Sequence, residues 1–226
     1  MLNTIGQRVT VSMITMNEEA SVAIVIKKIQ HALPEAEILI VDSSQDKTPL
    51  IAEALGARVI RQFPPRGYGP AMERALREST REVVITMDCD DTYPAEQIPV
   101  FAALILESGY DVIDGSRLKN KPQAMPWLNY CANVCFAWLA TLLFFRKLTD
   151  LHSGMRAYRK SMINELTFQA QGDALPVELL LKPILKGYKV HVHFIDYHER
   201  IGVSTMRPLR SAWWTVKRMI NVRLFT

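Results

Sequence analysis

EVVITMDCDDTYP, residues 82–94, joins an apolar run to a cluster of acids. Val83, Val84, Ile85, Thr86 and Met87 have strand character, and an unbroken apolar run suits a parallel sheet covered on both faces. The acids are Asp88, Asp90 and Asp91. Side chains alternate along a strand, so Asp88 and Asp90 point the same way if the strand geometry persists. Two like charges about 4 Å apart repel by about 4 kcal/mol at an effective dielectric of roughly 20. A hard divalent ion, Mg²⁺ or Mn²⁺, held by one or two carboxylates plus phosphate oxygens, relieves that repulsion. Ligands of open α/β sheets bind outside the carboxyl ends of the strands, where this cluster falls. The alternative is a solvated acidic turn closed by Pro94.

Working outward, strands and helices alternate. Val9 to Thr15, Glu35 to Val41, Arg58 to Ile60 and Tyr110 to Gly115 read as strands. Helical patterns lie between them, around Val22–Ile29, Ile51–Leu55, Ala71–Ser79 and Ala95–Glu107. Short links between alternating elements predict an α/β fold, a mostly parallel, doubly wound sheet. Further on, 176–186 reads as a helix and Lys189 to Tyr197 as a strand.

The chain has 226 residues, is 49% apolar and carries a formal net charge of +4. That predicts one large domain with a sizeable core. A mild positive balance suits anionic ligands or a membrane surface, and no nucleic-acid signature accompanies it. Cys89, Cys131 and Cys135 show no zinc spacing, which predicts a reduced, cytoplasmic setting; Cys131 and Cys135, one helical turn apart, are expected to pack. His191 and His193 share a strand face with no cluster to complete a zinc site. The residues around Ser153 lack a nucleophile elbow. Gly67 and Gly69 are too few for a dinucleotide fingerprint.

Residues 123–145 carry no charge, and WLNYCANVCFAWLATLLFF, starting at Trp127, is nearly long enough to span a bilayer. Spanning would put Arg117 and Arg156 on opposite sides of the membrane. The other readings are an interfacial or partly buried helix and a plain core helix. Near the end, Leu209, Ala212, Trp213, Val216, Met219, Ile220 and Leu224 form one helical stripe, with Arg210, Lys217 and Arg218 off it. A basic amphipathic helix of this kind suits an anionic lipid surface, or packs on the domain.

Several segments fall in a familiar order: MITMNEEASV, ILIVDSSQDKT, RGYGPAMERAL, VITMDCDDTYP, DVIDGSR, TDLHSGMRAY and VELLLK…GYKVHVHFIDYHERIGVST. From about Val9 to Thr205 the chain resembles the family 2 glycosyltransferases. It looks most like the dolichyl-phosphate and polyprenyl-phosphate mannosyl- and glucosyltransferases. The resemblance implies a Rossmann-like glycosyltransferase-A fold. It implies that Thr15, Met16, Asn17, Glu18 and Asp42 hold the base and ribose of a UDP- or GDP-hexose. Arg66 and Gly69 would lie at its phosphates, and Asp88 and Asp90 would hold Mg²⁺ or Mn²⁺ there. Arg117, Ser153, Arg156 and Arg200 would surround the donor and acceptor phosphates. Departures occur at Ile14–Glu18, at Ser43 to Gln45, at Thr92, where Asp91 is a substitute ligand, and at Thr205, whose missing charge Arg207 would cover.

The resemblance divides the chain into a catalytic domain, 1–205, and a tail helix, 206–226. The nucleotide-sugar half is 1–116 and the acceptor half 117–205. The expected activity is metal-dependent, inverting transfer of a hexose to a polyprenyl phosphate at the cytoplasmic face of a membrane. An ionised lipid phosphate needs no general base. A hydroxyl acceptor would need one, and Asp150 is the candidate. The remaining alternative is a nucleotide-sugar-binding protein without turnover.

Overall fold

The computed structural model describes residues 5–202 and 208–225; Thr205 and Arg207 lie outside them. The strands are β1 (Val9–Thr15), β2 (Glu37–Asp42), β3 (Arg58–Arg61), β4 (Val83–Thr86), β5 (Val112–Ser116), β6 (Arg156–Arg159) and β7 (Val190–Phe194). The helices are α1 (Val22–Ala32), α2 (Thr48–Ala54), α3 (Tyr68–Glu78), α4 (Ile98–Leu106), α5 (Trp127–Phe144), α6 (Lys160–Glu165), α7 (Leu175–Leu185) and α8 (Pro208–Phe225). One seven-stranded sheet runs β3-β2-β1-β4-β6-β5-β7. Its pairs are parallel except those of β6, which is antiparallel to both β4 and β5.

The two-residue period of the strands sorts the core into two layers. Val9, Val11 and Met13 of β1, Ile38 and Ile40 of β2, and Val83 and Ile85 of β4 meet α1 and α4. Val84 and Val112 face the other way, onto α5, α7 and the buried side of α8. Val41 packs on Ala71 and Ala75 of α3. The expected helix from Ala95 is divided. Pro99 has no N–H to close an α-turn on the Ala95 carbonyl, so Ala95–Gln97 is a 3₁₀ turn and the α-helix starts at Ile98.

The strand β6 was not legible. Arg156 and Arg159 frame only Ala157 and Tyr158, an unlikely composition for a central strand. Pairing makes it tolerable: Arg156 Nε donates to Asp114 Oδ1 at 2.6 Å, and Arg159 Nε to Asp111 Oδ1 at 3.2 Å.

Both of the helices read as possible membrane contacts are partly buried and keep an open apolar face. Only Ala137, Ala140 and Phe144 of α5 are buried, while Trp127, Leu128, Val134, Trp138 and Leu142 are exposed. So are Cys131 and Cys135, which were expected to pack. By length and composition α5 could cross a membrane. Its ends, however, return to the same body. Arg117 before it and Asp150 after it are clamped together, with Nε to Oδ2 at 2.7 Å and Nη2 to Oδ1 at 3.0 Å. A spanning helix would part those residues, so α5 lies along the body with an open apolar face.

Helix α8 buries Thr215, Arg218, Met219 and Val222 and exposes Leu209, Trp213, Ile220 and Leu224. Met219 therefore leaves the expected open stripe and Arg218 leaves the expected solvated one. The cause is a polar socket: Arg218 pairs with Glu178 of α7 and donates to the Gln171 carbonyl at 2.6 Å.

Candidate active site

Strand ends supply the site. Thr15 and Asp42 end neighbouring parallel strands in register, and Thr86, in register with Ser12, ends the next. Asp88 and Asp90 follow β4 directly. Burial pushes the Asp88 carboxyl up to about 7, and the charge of Asp90 adds to the effect; Arg200 and Arg117 oppose it. Asp90 is 1% exposed. Its Oδ1 accepts from the Thr92 hydroxyl at 2.6 Å and main chain at 3.1 Å, and its Oδ2 faces the Arg200 guanidinium. The segment carrying Arg200 is pinned alongside: His198 N–H donates to the Thr92 carbonyl at 3.0 Å and Ile201 N–H to the Asp90 carbonyl at 2.9 Å.

Asp91 turns outward, with φ 64°, and pairs with Lys28 at 2.6 Å. Gly154 closes the other side of the pair. A Cβ there would stand 2.7 Å from Asp88 Oδ2, so a side chain at this position would push the carboxylate aside.

These residues fit a hard divalent ion. Two oxygen donors follow one strand end, and burial beside Asp90 keeps the proton on Asp88 to near neutrality despite the charges of Arg200 and Arg117. Among the described residues no group of three or more His, Cys, Asp or Glu could hold a metal alone. A Mg²⁺-type site built from a few carboxylates completes its shell with water and substrate phosphate.

Beside the pair, the β1–α1 and β2–α2 loops are laced together. Asp42 is fully buried. Its Oδ1 accepts from Thr15 at 2.7 Å and from the Ser44 hydroxyl at 2.5 Å, and Arg61 covers Oδ2. Asn17 N–H donates to Ser44 Oγ at 2.8 Å, and Asn17 Oδ1 accepts from Gln45 N–H at 2.9 Å. Met16 stands open at the rim, 44% exposed. Burial raises the Glu18 carboxyl, with a hydrogen bond from Ser21 and the charge of Arg200 in opposition. The Cys89 carbonyl lies closer to the same Ser21 hydroxyl, at 2.6 Å against 3.2 Å for Glu18 Oε2, and shares its one hydrogen, which ties this loop to the acid cluster. Arg66 is exposed in the loop before α3. Gly69 is a packing glycine: a Cβ would fall 1.7 Å from the Ala170 carbonyl oxygen.

The third group centres on Arg117. Asp150 clamps it, and its guanidinium lies 5.1 Å from the Tyr197 ring centroid. Tyr197 meets Tyr93 edge-on at 5.7 Å, and the Tyr93 hydroxyl accepts from Gly154 N–H at 2.7 Å. Asp150 is fully buried, and Arg117 holds its carboxyl below the usual range against the effect of burial. Ser153 donates to the Gly115 carbonyl at 2.5 Å.

The structure draws Asp88, Asp90, Arg117, Arg200 and Glu18 into one electrostatic neighbourhood, with Thr15, Asn17 and Asp42 alongside. It does not bring Arg156 there. That side chain is 0% exposed and donates to Asp114, the Pro176 carbonyl and the Asp150 carbonyl. The expectation that Arg156 meets a phosphate is corrected: its carboxylate partner within the sheet holds it inside. Tyr93 and Tyr197 were missed. Tyr197, next to the HER segment, was the one available signal.

A parallel sheet with carboxylates outside its strand ends defines a Rossmann-like nucleotide-binding class. The family described as glycosyl transferase family 2 matches residues 10–167. The dolichyl-phosphate hexose transferase of Haloferax volcanii is 40% identical over 93% of this chain and 91% of its own length. The polyprenol monophosphomannose synthase of Mycolicibacterium smegmatis is 26% identical over 88% and 81%. A crystal structure of glucosyl-3-phosphoglycerate synthase from Mycobacterium tuberculosis, with Mn²⁺, UDP-glucose and phosphoglyceric acid, has a TM-score of 0.76. It covers 98% of this chain and 82% of that one at 19% identity, a likeness of fold. The chain belongs to glycosyl transferase family 2, with the glycosyltransferase-A fold, and is an enzyme that uses a nucleotide sugar.

Proposed function

We propose that the enzyme transfers a hexose from a UDP- or GDP-sugar to a polyprenyl phosphate, with inversion, at the cytoplasmic surface of a membrane. One observation carries this reading. The two helices with open apolar faces meet beside the Arg117–Asp150 clamp: Phe136 of α5 and Thr215 of α8 both touch His152. A basic site flanked by two helices whose outward faces are apolar and open suits an anionic head on an apolar tail. Arg146, Lys147, Arg210 and Lys217 add positive charge near the helices for an anionic bilayer. The relatives named for dolichyl and polyprenol phosphates support the same acceptor.

In this mechanism the Thr15–Glu18 loop and Asp42 hold the nucleoside. Asp42 also keeps Thr15 and Ser44 in place. Asp88 and Asp90 would hold Mg²⁺ or Mn²⁺, which would supply charge neutralisation for the leaving nucleoside diphosphate. Arg117 and Arg200 orient phosphate oxygens with forked donors. An acceptor phosphate oxygen bonds to the sugar C1 as the C1–O bond to the donor breaks. The electron pair leaves with the diphosphate, and the ionised acceptor gives up no proton. Asp150 has both oxygens engaged and a lowered pKa, so it aligns Arg117 and does not serve as a base.

Labelled UDP-glucose and GDP-mannose, offered separately with membrane extract and Mg²⁺ or Mn²⁺, test the proposal. Chelator-sensitive label in the organic phase is expected from one of them. Label that enters only a water-soluble product would refute the lipid acceptor.

A further inference from the structure

We propose that His152 is a positioning residue that ties helix α8 to the Arg117–Asp150 clamp, so that Arg117 is aligned only when α8 is seated. The inference rests on the proposed role of Arg117 at the phosphates. His152 Nε2 lies 2.7 Å from Thr215 Oγ1. The Thr215 hydroxyl donates its one hydrogen to the Ser211 carbonyl at 2.8 Å, so the imidazole Nε2–H is the donor to Thr215. At the same residue, His152 main-chain N–H donates to Asp150 Oδ1 at 3.0 Å. That oxygen also accepts from Arg117 Nη2 at 3.0 Å. A single residue thus joins the side chain of α8 to the carboxylate that sets the arginine.

Packing alone does not explain a histidine here. Phe136 packs against its ring edge, with centroids 5.6 Å apart, and an apolar ring would fill the same space. The imidazole instead leaves Nδ1 buried with no hydrogen-bond partner among the described residues. That unpaired nitrogen costs stability that an apolar ring would not lose, so the Nε2 contact is what a histidine adds at this position. Burial holds the imidazole neutral, with its pKa down to about 4, so the Nε2–H donor persists across the working range. The face of α8 that meets His152 is its buried one, which mixes Thr215 and Arg218 with Met219 and Val222 and lies opposite exposed Trp213 and Leu224. Seating of α8 through a polar contact, with its apolar face free for lipid, links surface attachment to the site.

The test compares His152→Phe, His152→Gln and Thr215→Val in the full chain. His152→Phe and Thr215→Val are expected to lower kcat/KM about tenfold, the scale of a small misplacement of a substrate-orienting group. His152→Gln, whose amide can donate to Thr215, is expected to restore most of it. The double variant His152→Phe/Thr215→Val is expected to be no worse than either single variant. Amide exchange gives a readout that needs no substrate: Thr215→Val is expected to raise exchange at the His152 and Arg117 amides and leave β1 unchanged. Native kinetics in both single variants, equal loss in Gln and Phe, or unchanged exchange in Thr215→Val would overturn the coupling. A native protein that moves no sugar to lipid phosphate would sink the acceptor reading instead, with the exchange result still deciding the link.

Discussion

Asp88 and Asp90 concentrate negative charge after a single strand end, and burial sharpens the cost. Replacing Asp90 with Asn is expected to lower transfer by about 100-fold or more, because the proposed metal site would lose one carboxylate oxygen. Transfer assays on the variant check this. The Asp88 carboxyl, pushed up to about 7, must lose its proton to bind a cation. Mn²⁺ affinity should therefore climb as pH rises through about 7, with proton release visible by calorimetry in two buffers. Asp150 has the opposite sign. Its folded pKa lies below the model-compound value of 3.8, so its stabilisation is present above that value and is lost as pH falls through the folded one. The urea-midpoint gap between the native chain and Asp150→Asn should shrink on acidification below about pH 4. At this scale the sequence revealed residues whose type and place coincide, acids at a strand end above all. It misplaced Arg156, because nothing local shows that Asp114, on a strand far along the chain, claims its guanidinium. Tyr93 and Tyr197 become neighbours only when the sheet closes.

The elements divide in the same way. Strands with continuous apolar runs were legible because both faces are covered. The short β6 was hidden because its arginines become strand residues only through ion pairs to distant acids. Helix α8 is bound by the face that amphipathicity assigns to water. Arg218 and Glu178 are each 3% exposed in that contact. Arg218→Met leaves buried Glu178 with only Lys182 at 3.5 Å and the Gln169 N–H at 3.1 Å, and is expected to cost about 3 kcal/mol and expose α8 to proteolysis. A urea unfolding series and limited trypsin digestion read both effects. The open face has a separate role. Trp213→Ser with Leu224→Ser should leave stability nearly unchanged and reduce flotation with anionic vesicles several-fold. Unchanged flotation would remove α8 from the membrane account.

Over the whole molecule, one sheet places the β1–α1 and β2–α2 loops, the acid pair and the arginine clamp at a common edge, and helices α5 and α8 pack beside the clamp with their apolar faces turned outward. Alternation of strand and helix made the sheet legible. The position of α5 was not, because composition alone fits a spanning, interfacial or core helix. The Arg117–Asp150 clamp decides it by holding both ends of the segment on one side. The central claim is that this arrangement reads a phosphate on a lipid tail and needs no base. It is tested most directly by offering a polyprenyl phosphate, the matching free polyprenol and a water-soluble phosphorylated acceptor in parallel, with one labelled donor and Mn²⁺. The account predicts label in the polyprenyl phosphate alone. Equal label in the free polyprenol, or label only in the soluble acceptor, would contradict it.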